Sequence, residues 1–156
     1  MRELGAPSPT HYFSTMATRA RIGLELKDGS VLSVYHHWDG YPEWLGRILK
    51  THYNGKSLVS ELIDGGDMSS CWTDDRWDDT GVVGVYGPQY YSQRGENHPP
   101  VLHEDLNEFL TYTDDTCGGE YAYHFVDGEW VCHQVGYSVD KHMVKQVEIP
   151  SGALAV

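Results

Sequence analysis

The stretch from Tyr121 to Val135 constrains the fold more than any other part of the chain. Tyr121-Ala122-Tyr123-His124-Phe125-Val126 and Glu129-Trp130-Val131-Cys132-His133-Gln134-Val135 are strand-like runs separated only by Asp127-Gly128. A two-residue type I′ hairpin turn needs left-handed backbone at both central positions, and Asp-Gly tolerates it, so an antiparallel hairpin is expected. A second hairpin is written near the start. Ile22, Leu24 and Leu26 alternate with Arg21, Gly23 and Glu25, Lys27-Asp28-Gly29-Ser30 turns the chain, and Val31-Leu32-Ser33-Val34-Tyr35 resumes a strand.

Between the hairpins the period changes. Trp44, Leu45, Ile48, Leu49 and His52 recur at helical spacing, with Pro42 suited to a first turn and Asn54-Gly55 to a stop. Residues 57–63 predict a second short helix, closed by Asp64-Gly65-Gly66-Asp67, and residues 103–112 a third. Residues 68–80 and 87–100 read as loops, 82–86 and 144–149 as strands. The expected fold is α+β: a mostly antiparallel sheet of five or six strands with about three helices packed on one face. Residues 1–15 lack periodicity and read as an N-terminal extension, 16–150 as one α+β domain, and 151–156 as a C-terminal tail.

Charge narrows the partners. The chain carries 23 acidic against 11 basic residues, a formal charge of −12, which repels phosphate backbones and argues against extended nucleic acid. A small anion held by a few arginines (Arg19, Arg21, Arg47 or Arg94) stays compatible. The acidic run Asp74-Asp75-Arg76-Trp77-Asp78-Asp79 reads as a solvated loop. Three cysteines without C-x-x-C spacing, and no long apolar run, fit a reduced protein of the cytosol with no membrane span.

The run His36-His37-Trp38-Asp39-Gly40-Tyr41-Pro42 packs two imidazoles, an indole, a carboxylate and a phenol into a strand-to-helix junction. Adjacent strand residues face opposite sides, so only one of the two histidines can point at a given site. Asp39 is expected to cap the following helix and Gly40 to supply an unusual backbone angle. A metal would need three or so ligands, which His36 or His37, Asp39, His124 and His133 could furnish. The established metal spacings are absent, however, and His124 and His133, placed about the Asp127-Gly128 turn, read as cross-strand partners. Neither G-x-S-x-G nor a phosphate-cradling glycine motif occurs. Gln93-Arg94-Gly95-Glu96 can present a guanidinium to an anion, and Tyr90 and Tyr91 beside it can stack a base.

These residues carry a resemblance. Met16-Ala17-Thr18-Arg19-Ala20-Arg21-Ile22, the H-W-D-G-Y-P run of His37 to Pro42, Leu62-Ile63-Asp64-Gly65-Gly66-Asp67, Gln93-Arg94-Gly95-Glu96 and Glu120-Tyr121-Ala122-Tyr123 resemble a family of small tailed-phage proteins of uncharacterised function. His36 departs from the pattern, which has a cysteine or another small residue there. The resemblance implies an anti-defence accessory protein in the host cytoplasm, binding a small nucleotide-type immune signal without catalysis. His37, Trp38, Asp39, Tyr41, Tyr91 and Arg94 are the expected ligand-binding residues. No catalytic residue, metal or cofactor is expected, and a homo-oligomer is. The competing expectations are an inhibitor of a host defence protein, a metal-dependent phosphodiesterase, and a virion or assembly component.

Overall fold

The two hairpins lie side by side at the centre of a larger sheet. The computed structural model describes residues 17–71, 87–136 and 144–152. The extension at 1–15, the acidic run at 74–79, the strand expected at 82–86 and most of the tail lie outside the described residues. Strands β1 (Ala20–Glu25) and β2 (Val31–His36) form the first hairpin, and β6 (Tyr121–Val126) and β7 (Glu129–Gln134) the second. Asp127 and Gly128 take φ of 53° and 79°, the left-handed pair that the Asp-Gly turn requires.

Between them come a π-helical turn (Pro42–Gly46), α1 (Arg47–His52), α2 (Lys56–Asp64), β3 (Met68–Cys71), β4 (Pro88–Tyr90), a 3-10 turn (Tyr91–Arg94), β5 (Val101–His103) and α3 (Leu106–Asp115). Strand β8 (Lys145–Val147) follows the second hairpin. The strand order is β4-β3-β2-β1-β6-β7-β8, with β5 pairing against the early part of β2. Among the described residues the sheet therefore has eight strands rather than five or six, and it is mixed rather than mostly antiparallel. β1 runs parallel to β6, and β2 meets β3 in parallel at His36 and Met68.

The helices were expected to pack on one face, but the described ones lie on both. Ala20, Ile22, Leu24, Val34, Tyr123 and Phe125 point to one side and join Leu45, Ile48, Leu49, Val59, Leu62 and Ile63 of the α1–α2 segment in a single apolar cluster. Val31 and Ala122, at alternate positions, point to the other side and pack with Phe109 of α3. The sheet is thus covered on both faces. At six, nine and ten residues, the three helices are too short to persist alone in water, so their stability comes from these contacts. Each fully buried Leu or Ile contributes about 2 to 3 kcal/mol. The third helix starts at Leu106 rather than 103, because His103 belongs to β5 and Asp105 caps the helix by accepting a hydrogen bond from the Glu108 N–H at 2.9 Å. Among the described residues, no helix is long and apolar enough to cross a membrane.

Candidate functional site

The site grows from the end of β2. His36 pairs with Ala20 and turns into the apolar cluster under α1 and α2, fully buried. His37 consequently faces the opposite, α3 side. There its Nδ1 lies 2.7 Å from the Tyr35 hydroxyl, with the two rings 5.8 Å apart. Burial first, then the nearby Arg19 guanidinium, pushes the His37 imidazole below its ordinary pKa, so it is neutral near pH 7. Burial raises the Tyr35 hydroxyl to about 12, and Arg19 opposes that shift. The protonated Tyr35 hydroxyl and the neutral His37 imidazole therefore share this one hydrogen bond.

The chain then leaves the strand sharply. The N–H of Trp38 donates to the Ser69 carbonyl at 2.8 Å, and its indole stays 44 % exposed with the His37 ring edge-on at 4.6 Å. Asp39 takes the left-handed conformation, φ 59°, which an Asp tolerates. Gly40 was expected to supply that angle. It is needed instead for close approach, since a Cβ there would lie 2.6 Å from the Thr18 carbonyl oxygen. The Gly40 N–H donates to that same oxygen at 2.8 Å, and its carbonyl accepts from the buried Tyr123 hydroxyl at 2.7 Å. The turn is thereby bolted to the chain entering β1.

Asp39 does not cap the following helix. The residue at the cap position is Tyr41, with no side-chain hydrogen bond, and Pro42 opens the first turn. Tyr41 has its hydroxyl pKa raised by burial, then by the charge and hydrogen bonding of Asp39, then by Glu43. Asp39 and Tyr41 thus form a pair beside the helix start.

The Tyr91 loop is tied to β2 at Tyr35, two residues before His37, through Asp67, which the sequence marks only as a helix stop. The Asp67 carboxylate accepts the Tyr35 N–H at 2.9 Å, its carbonyl accepts the Tyr91 N–H at 3.1 Å, and its own N–H donates to His98 O at 3.0 Å. Burial raises the Asp67 carboxyl pKa, against the Tyr35 hydrogen bond and the charges of Arg21 and His98. Arg94 lies over the Tyr91 ring, 5.2 Å from its centroid, and 3.1 Å from Glu96. The Tyr91 hydroxyl is raised by burial and opposed by Arg94 and Arg19. Tyr35, His37 and Tyr91 therefore share the field of one cation, Arg19, whose side chain is exposed and in no ion pair among the described residues.

A buried polar layer lies on the same face. Arg21, 2 % exposed, donates from Nε to Ser33 Oγ at 2.8 Å, from Nη2 to Ser33 O at 3.0 Å and from Nη1 to Cys117 Sγ at 3.3 Å, with Tyr112 beneath its guanidinium. His103 Nε2 lies 2.7 Å from the same Ser33 Oγ, and burial, then Arg21, holds its pKa near 4. No carboxylate pairs with this guanidinium among the described residues, so its charge adds to that of Arg19. Only the alternation of Arg19 and Arg21 into β1 hints at this in the sequence.

The residues weighed as metal ligands do not converge. His36 points into the apolar core, while His124 and His133 sit on the α3 side. His124 pairs with Val131 and His133 with Ala122, so the two are diagonal neighbours with rings 6.1 Å apart rather than direct cross-strand partners. His124 Nε2 lies 2.8 Å from Glu25. No group of three or more His, Cys, Asp or Glu side chains suited to a metal occurs among the described residues. No protein-family model, no curated protein and no solved structure matches the chain.

Proposed function

We propose that this chain binds a small nucleotide-type anion without transforming it, at the surface made by Arg19, Tyr35, His37, Trp38, Tyr91 and Arg94. The observation that carries the reading is Arg19. In a chain with twice as many acids as bases, this exposed guanidinium is left without a carboxylate among the described residues while three polar aromatic side chains share its field. A guanidinium can grip a phosphate through two parallel hydrogen bonds. The half-exposed Trp38 indole and the Tyr91 ring supply stacking faces for a base, each such stack contributing about 1 to 3 kcal/mol. The phage setting implied by the resemblance makes a host immune signal, such as a cyclic dinucleotide or a cyclic ADP-ribose relative, the natural ligand, and sequestration in the host cytoplasm the natural role.

The test is to incubate the full chain with a panel of these nucleotides, remove unbound material, denature by heat and analyse what is released. Intact nucleotide supports the proposal. Cleaved nucleotide would replace it with a hydrolase, and no retained nucleotide together with a co-purifying host protein would replace it with direct inhibition.

A further inference from the structure

The far end of the sheet holds a cleft. β1 and β6 are parallel neighbours, but β1 turns back to pair with β2 on one side and β6 turns back to pair with β7 on the other. Chains that leave adjacent parallel strands in opposite directions open a crevice beyond the strands' carboxyl ends, a place where α/β sheets commonly hold ligands. Here the crevice is a cavity of about 350 Å³ lined by Leu24, Leu26 and Phe125, by the Gly128 turn, and by Lys27 and Lys56. That volume lies at the small end of the range for ligand pockets.

The charges at its rim are unequally committed. Glu25 is engaged by His124 at 2.8 Å, and the nearby Asp28 carboxylate is held by the Ser30 N–H at 3.0 Å and the Ser30 hydroxyl. Neither Lys27 nor Lys56 is in an ion pair among the described residues. Asp127 is the one other carboxylate at the cavity, and it is exposed in the hairpin turn. Two uncommitted ammonium groups over an apolar floor suit a ligand with a small hydrophobic body and one anionic group.

We propose that this cleft is a second binding site, separate from the His37 surface, for a small apolar carboxylate. Its apolar part rests on Leu24, Leu26 and Phe125, and its carboxylate is held by Lys27 and Lys56.

The test is an amide-resolved NMR titration of the full chain with phenylacetate, its uncharged isostere phenylacetamide, and phenethylamine. The expected result is saturable shifts with phenylacetate at residues 24–28, 56–58 and 125–128. Affinity should fall about tenfold for the amide, and equally for phenylacetate with a Lys27→Gln/Lys56→Gln double variant. Both lysines are exposed, so the variant should keep the parent spectrum elsewhere. Shifts that do not saturate, that centre on Trp38 and Tyr91, that are as strong with the amide or stronger with the amine, or that survive in the double variant would each overturn the proposal.

Discussion

Replacing His36 by leucine should make the protein more stable and less sensitive to acid. His36 is 0 % exposed, and neither Nδ1 nor Nε2 has a hydrogen-bond partner among the described residues. An unpaired buried polar group costs about 1 to 3 kcal/mol, and a leucine of similar volume removes that cost at an overpacking cost below about 1.5 kcal/mol. A net gain of roughly 1 to 2 kcal/mol at pH 7.5 follows, a rise in Tm of about 2 to 8 °C for a chain of this size. The pH dependence is sharper still. Burial, reinforced by His37, lowers the folded-state pKa of His36 from 6.5 to about 3. Below pH 6.5 the unfolded chain therefore takes up a proton that the folded chain refuses, and stability falls with pH by about 1.4 kcal/mol per unit until the folded pKa is reached. Between pH 7.5 and 4.5 the advantage of the leucine variant should widen by roughly 3 kcal/mol. His103 titrates in the same direction, while the raised carboxyls of Asp67 and Glu120 work in the opposite one; all three are common to parent and variant and cancel in the difference. Urea unfolding of both proteins at the two pH values measures it. A variant no more stable at pH 7.5, with a gap that stays constant at pH 4.5, would refute the burial of a neutral, unpartnered imidazole.

The remaining predictions concern the His37 surface. Asp67→Asn should cost about 1 to 2 kcal/mol, because the Tyr35 N–H loses a charged acceptor, and should speed hydrogen exchange at the Tyr35 and Tyr91 amides; unchanged exchange would remove Asp67 as the link between the two segments. Arg19→Gln should raise the His37 pKa, read by NMR titration of the imidazole, because Arg19 is the second cause of its depression. Gly65→Ala should destabilise the fold by about 3 kcal/mol or more in urea unfolding, since a Cβ there would enter the Tyr90 ring, whose hydroxyl is anchored on the Leu62 carbonyl at 2.6 Å.

The sequence made the two hairpins legible because an Asp-Gly turn between alternating runs is a local signal, and it made α1 and α2 legible through their apolar period. β3, β4 and β5 are three or four residues long, too short for a period, and their buried Ser69, Ser70, Gln89 and His103 look like loop residues. The mixed character of the sheet was hidden for a different reason. The parallel partners Ala20 and Tyr121 lie far apart in the chain, and nothing local records such a pairing. At the site, alternation correctly separated His36 from His37. Asp67 was missed because its role lies in which backbone groups it meets, Tyr35 N–H among them, and no spacing rule encodes that. Asp39 is not the cap because the helical turn begins only at Pro42, which makes Tyr41 the cap residue.

The most direct test of the account is calorimetric titration of the parent, Arg19→Gln and Trp38→Ala with the same panel of cyclic dinucleotides and cyclic ADP-ribose. Arg19 and Trp38 are exposed, so neither change should unfold the chain. Saturable binding of at least one nucleotide by the parent, weakened about tenfold or more by each substitution and left unchanged by Lys27→Gln/Lys56→Gln, is the predicted result. Binding that neither Arg19→Gln nor Trp38→Ala affects, or no binding by any member of the panel, would contradict it.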